Sequence, residues 1–66
     1  MDRKATIDYL WARFQVSAAD AERLLSDAEA SDTGMAPLAR PGKRTVWANH
    51  MTTQDGKFII ESEWPA

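Results

Sequence analysis

The chain contains no cysteine and a single histidine, His50. The first absence excludes a disulfide framework, a thiolate nucleophile and a cysteine-based zinc site. The second excludes every metal motif built on two histidines. Long apolar runs are also missing. The longest run of large apolar residues is Phe58-Ile59-Ile60, against the roughly 20 that a membrane span requires. Met1-Asp2-Arg3-Lys4 is not followed by the apolar stretch of about 7–15 residues that a secretory signal carries, so the expectation is a soluble, cytoplasmic protein with no membrane partner. Neither an internal repeat nor a low-complexity tract occurs.

What is present is compact. Sixty-six residues make one domain, 1–66. At this size a core barely offsets chain entropy of roughly 1.5 kcal/mol per ordered residue. Hydrophobic content of 44% with a net charge of −2 is too apolar for a disordered chain. Three tryptophans, Trp11, Trp47 and Trp64, supply much buried area per residue.

Ile7, Leu10, Trp11 and Phe14 recur at i, i+3, i+4 and i+7, one face of a helix over about 4–15, with Asp2 as its N-cap. Ser17 is a second N-cap, and Asp20 three residues later approximates a capping box. The helix it starts, about 18–30, places Ala21, Leu24, Leu25 and Ala28 on one face. Asp32-Thr33-Gly34 matches the aspartic protease triplet by letters but follows a polar helix, so it reads as a helix stop with Gly34 left-handed at the helix C-terminus. Residues 31–44, with Pro37, Pro41 and Gly42, form a loop from which Met35 and Leu38 tuck into the core.

Residues 45–64 form a hairpin. Asp55-Gly56 suits a type I′ turn, and centring the turn there pairs Gln54 with Lys57, Thr53 with Phe58, Met51 with Ile60, Asn49 with Ser62 and Trp47 with Trp64. One face then carries Trp47, Met51, Phe58, Ile60 and Trp64. The other carries Ala48, His50, Thr52, Lys57, Ile59, Glu61 and Glu63, with His50 opposite Glu61. The expected fold is α+β: two N-terminal helices (about 4–30) packed on a C-terminal antiparallel β-hairpin, in the order α-α-β-β. Trp47 and Trp64 serve either the core or, exposed together, an interface.

Tyr9 to Leu25, with Phe14 before the turn, Val16-Ser17 in it and Leu24-Leu25 in the second helix, resembles the helix-turn-helix of small winged bacterial and phage regulators. That resemblance implies DNA binding through the second helix, with the hairpin as wing; the family's helix preceding the motif is missing or truncated here. The residues it would aim at the major groove are Ala18, Ala19, Asp20, Glu22 and Arg23. Over 16–33 five carboxylates face Arg23 alone, a net of −4. Such a helix repels a duplex whose affinity for proteins comes from phosphate neutralisation.

Over 34–45 the sign reverses to +3, from Arg40, Lys43 and Arg44. The charge separation favours a small non-enzymatic protein-interaction or accessory regulatory module. Its binding surfaces are an acidic second helix (Asp20, Glu22, Asp27, Glu29) and the hairpin edge, and its partner is another protein or a second copy. The alternative is a miniature winged-helix DNA-binding protein using Arg23, Arg40, Lys43 and Arg44. No cofactor or metal is expected in either case.

Overall fold

A computed structural model describes residues 2–50 and 57–63, without the side chains of Ser62 and Glu63. Two helices, α1 (Arg3–Phe14) and α2 (Ala18–Ala30), precede three strands, β1 (Met35–Leu38), β2 (Thr45–His50) and β3 (Phe58–Glu63). The strands form one antiparallel sheet in the order β1-β2-β3. The class is α+β, with a three-stranded sheet where the sequence suggested a hairpin.

Both helices start where a local side chain satisfies their free N–H groups. Asp2 accepts from the Ala5 N–H at 2.8 Å, and Ser17 from the Asp20 N–H at 3.2 Å. Helix α1 ends on Gln15 in the left-handed region (φ 56°), and the Val16 N–H reaches back to the Leu10 carbonyl at 3.2 Å. This closure normally favours glycine. It turns the chain so that Val16 enters the core between the helices.

The core is a single cluster of Leu10, Val16, Ala21, Leu24, Leu25, Ala28, Ala36, Val46, Ala48 and Phe58, flanked by Ile7, Phe14, Leu38 and Ile60. Helix α2 contributes the four apolar residues its periodicity marks. Small residues in both layers, Ala21 and Ala28 on α2 and Ala36 and Ala48 on the sheet, are buried in this one cluster and allow a close approach. Helix α1 departs from expectation. Trp11 is 61% exposed, and Thr6 is fully buried in its place, its hydroxyl donating to the Asp2 carbonyl at 2.6 Å. One residue turns a helix by about 100°, so with Leu10 at the centre of the buried stripe Trp11 falls on its flank.

Strand β1 lies inside the segment read as a loop. Pro37 hides it, because proline donates no ladder hydrogen bond and depletes strand propensity. It is tolerated because β1 is an edge. Met35 and Pro37 alternate onto the face away from the helices, while Ala36 is buried and Leu38 packs against the core. Met35 therefore does not tuck inward. Gly34, with φ 76°, is not the helix terminus either. Ser31 is the C-cap, and Gly34 closes a turn by donating to the Ser31 carbonyl at 3.1 Å. Between β1 and β2 a second turn runs Arg40-Pro41-Gly42-Lys43, with the Lys43 N–H on the Arg40 carbonyl at 3.1 Å. Pro41 precedes Gly42 (φ 69°), the type II arrangement.

The β2–β3 register differs from the expected one by three residues. Trp47 pairs with Glu61, Ala48 with Ile60, Asn49 with Ile59 and His50 with Phe58. A shift by an odd number exchanges the faces. Val46, Ala48, Phe58 and Ile60 face the helices, while Trp47, Ile59 and Glu61 face away. The pairing of His50 with Glu61 is thereby replaced by His50 with Phe58, whose rings lie 4.9 Å apart at 45°. The last described pair is His50 with Phe58, joined by residues 51–57. Asp55, Gly56 and Trp64, with the pairings expected for Met51 and Thr53, lie outside the described residues.

Candidate functional site

Three surfaces carry the residues singled out from the sequence. On α2 the four carboxylates do not share a face. Glu22 and Glu29, seven apart, sit on the flank nearest the start of α1. Arg3 spans the two helices there: Nη1 donates to Glu29 Oε1 at 2.6 Å, and Nη2 to Glu22 Oε2 at 3.3 Å, Ser26 Oγ at 3.1 Å and the Glu22 carbonyl at 3.4 Å. The hydrogen bond that Arg3 donates to Glu29 is the main cause of its raised pKa, with Glu22 adding to it against some desolvation. All three side chains are between 36% and 54% exposed, so each contact is worth only about 0.2–1 kcal/mol. The pair is nonetheless half neutralised within the chain, one guanidinium serving two carboxylates. Asp20 and Asp27 lie on the opposite flank with Arg23, by helical periodicity. Among the described residues none of these three enters an ion pair within 4.0 Å. Each flank of α2 therefore keeps a net charge of −1, Glu22 and Glu29 against Arg3 on one and Asp20 and Asp27 beside Arg23 on the other.

The basic loop is divided as well. Arg40 is half-buried and turned inward. Its Nη1 donates to the Phe14 carbonyl at 2.7 Å, while Nε and Nη2 donate to the Arg44 carbonyl at 3.1 and 3.0 Å. Its guanidinium also lies 5.6 Å from the centre of the Phe14 ring. A cation at the last carbonyls of α1 is favoured by the helix dipole. Arg40 thus fastens the β1–β2 turn to α1. Lys43 is exposed and Arg44 half-buried.

The third surface was not foreseen. The helices cover one face of the sheet only. The other presents Met35 and Pro37 from β1, Trp47 and Asn49 from β2, and Ile59 and Glu61 from β3. Ile59 is 42% exposed. Trp47 is half-buried, and its indole Nε1 is enclosed with no hydrogen-bond partner among the described residues. The alternation that would reveal this face was present in the sequence, but a register off by three assigned Trp47 to the wrong side.

Beside it, where α2 turns into β1, a shallow recess of about 650 Å³ is lined by Glu29, Ser31, Asp32, Thr33, Gly34, Asn49 and His50. Its hydroxyls, Ser31 and Thr33, bond to each other at 3.0 Å, and Glu29 is engaged by Arg3. Among the described residues neither the serine nor the threonine hydroxyl is paired with a base. Asp32 stands in the turn after the helix, as its triplet suggested. Among the described residues no group of three or more histidine, aspartate or glutamate side chains converges to hold a metal ion, and no helix is long and apolar enough to cross a membrane.

No family model matches the chain, and neither the curated proteins nor the solved structures contain a match to it.

Proposed function

We propose that the chain is a small non-enzymatic protein-interaction or accessory regulatory module that binds through its sheet. The observation carrying this reading is the face without a helix, where Ile59 stands 42% exposed diagonal to Trp47, with Met35 and Pro37 on the same face of β1. Apolar side chains grouped on an uncovered sheet face mark an interaction site, and indoles are frequent binding anchors. On α2, Asp20 and Asp27 are the carboxylates outside the Arg3 bridge, and they steer a partner's approach more than they hold it.

DNA binding receives less support. Of its four cations Arg40 is spent on the Phe14 and Arg44 carbonyls, and Arg23 shares its flank of α2 with Asp20 and Asp27, which oppose a phosphate backbone. Affinity capture with Ile59→Asp, with Asp20→Lys/Asp27→Lys, and with the parent chain tests the proposal. Loss of the captured partner with Ile59→Asp is expected, with weaker, salt-dependent loss for the pair on α2. An identical set of captured proteins in all three would remove the reading, and salt-sensitive retardation of duplex DNA by the parent chain would replace it.

A further inference from the structure

The sheet has two edges, and they are not alike. Strand β1 is short and carries Pro37, which blunts it against further pairing. Strand β3 is six residues long, Phe58-Ile59-Ile60-Glu61-Ser62-Glu63, with neither proline nor glycine. Described strands pair with it on the β2 side alone. The segment Lys57-Phe58-Ile59-Ile60-Glu61 has a further property: read in the opposite direction it complements itself about Ile59. Antiparallel pairing of the segment with its own copy sets Lys57 opposite Glu61, Phe58 opposite Ile60, and Ile59 opposite Ile59.

We infer that β3 is a homodimerisation edge, pairing antiparallel with β3 of a second copy across a twofold axis at Ile59. The inference rests on the reading of the sheet as the binding element and names its partner. The pairing converts two three-stranded sheets into one of six strands, with the edge ladder satisfied on both sides. On the helix-covered face, Phe58 of each copy meets Ile60 of the other, which joins the two cores along the axis; Ile60 is the half-buried residue at that margin. On the open face the two Ile59 side chains meet. Lys57 and Glu61, both exposed, form two symmetry-related charge pairs at the ends. Opposite charges directly across an antiparallel pair are favourable and like charges unfavourable. A shift by two residues would still set Lys57 opposite a carboxylate, Glu63, but would place Ile59 opposite Glu61 and Phe58 opposite Ser62, so apolar matching together with charge selects the alignment.

Light scattering after gel filtration and sedimentation velocity of the full chain read the result. The parent chain is expected to be a dimer that dissociates on dilution. Glu61→Lys and Lys57→Glu each replace both charge pairs with repulsions and should raise the dissociation constant about tenfold or more. The double exchange, Lys57→Glu with Glu61→Lys, restores opposite charges and should restore the dimer. Because the chain has no cysteine, Ile59→Cys gives an independent readout: the two thiols face each other across the axis and should oxidise to a linked dimer. Asn49→Cys, on the neighbouring strand, leaves its thiols about 14 Å apart, three strand spacings, and should not link. A parent chain that stays monomeric to about 1 mM, or a dimer indifferent to the single charge reversals, overturns the inference. A monomer that still loses a foreign partner on Ile59→Asp overturns dimerisation while keeping the interaction module. Failure of both removes the two readings together.

Discussion

The two faces of one sheet differ in a way that residue size does not foretell. On β1 and β2 the face beneath the helices is built from small and medium side chains, with Ala36, Val46 and Ala48 nearly or wholly inaccessible, and the large side chain on that face, Phe58, comes from β3. The face without helices holds the largest side chain of β2, Trp47, together with Met35 and Ile59. Close approach explains the first. An α-helix with Ala21 and Ala28 at its contact can settle onto a sheet only where the opposing side chains are short. The second follows from what remains: in β1 and β2, bulk excluded from a tight interface goes to the other side, while β3 keeps Phe58 inward. Burial here tracks fit between surfaces rather than the hydrophobicity of single residues.

The sharpest test of that contrast is Leu25→Ala. Leu25 is fully buried in the helix layer over the covered face, and its truncation is expected to cost about 2–5 kcal/mol. That is a large part of the roughly 3–10 kcal/mol available to a domain of this size. Urea unfolding followed by circular dichroism measures it. A loss under 1 kcal/mol would mean that the helix layer packs loosely and that the faces do not differ as described.

Gly34→Ala comes next. The glycine has φ 76°, and an added Cβ would lie 2.8 Å from the His50 carbonyl oxygen, a backbone atom of β2 that cannot swing aside. Strain and collision together should cost about 1–3 kcal/mol, read by the same denaturation curve. The Gly34 carbonyl also accepts from the His50 N–H at 2.6 Å, so the loss should spread to amide protection at the β1–β2 junction.

Gln15→Gly should act in the opposite direction. It relieves the left-handed backbone at the end of α1 (φ 56°) and is expected to stabilise by about 0.5–1 kcal/mol, a rise of a few degrees in Tm. Ile59→Ser, on the open face, should change monomer stability by no more than about 0.5 kcal/mol. Measured at a concentration where the chain is monomeric, a loss near that of Leu25→Ala would erase the distinction between the faces.

Much of the helical half was legible because its signals are local. Asp2 and Ser17 each cap within three residues, and the apolar spacing of α2 maps onto one buried stripe. In α1 the stripe was placed half a step round, since Trp11 looked more like core than Thr6 does. A threonine whose hydroxyl closes onto the Asp2 carbonyl behaves as an apolar residue of its size, and nothing in the spacing announces that bond. The sheet was harder because pairing is non-local. Pro37 disguised β1, and Asp55-Gly56 drew the register to itself, whereas the ladder obeys the face that must meet the helices. The candidate surfaces suffered most. Counting charges gave the acidic and basic segments correctly, but Arg3 reaches 19 and 26 residues along the chain to Glu22 and Glu29. Arg40 likewise reaches Phe14 over 26 residues. Side chains that travel so far neutralise a surface without altering its composition.

Arg40 has a consequence for how the molecule opens. One guanidinium holds the final carbonyl of α1 and both ends of the tight turn between β1 and β2. Fraying of that last helical turn removes the anchor of the hairpin, and an opened hairpin withdraws the cap from the helix. The two motions are therefore a single cooperative event, shared by segments that belong to different layers of the fold.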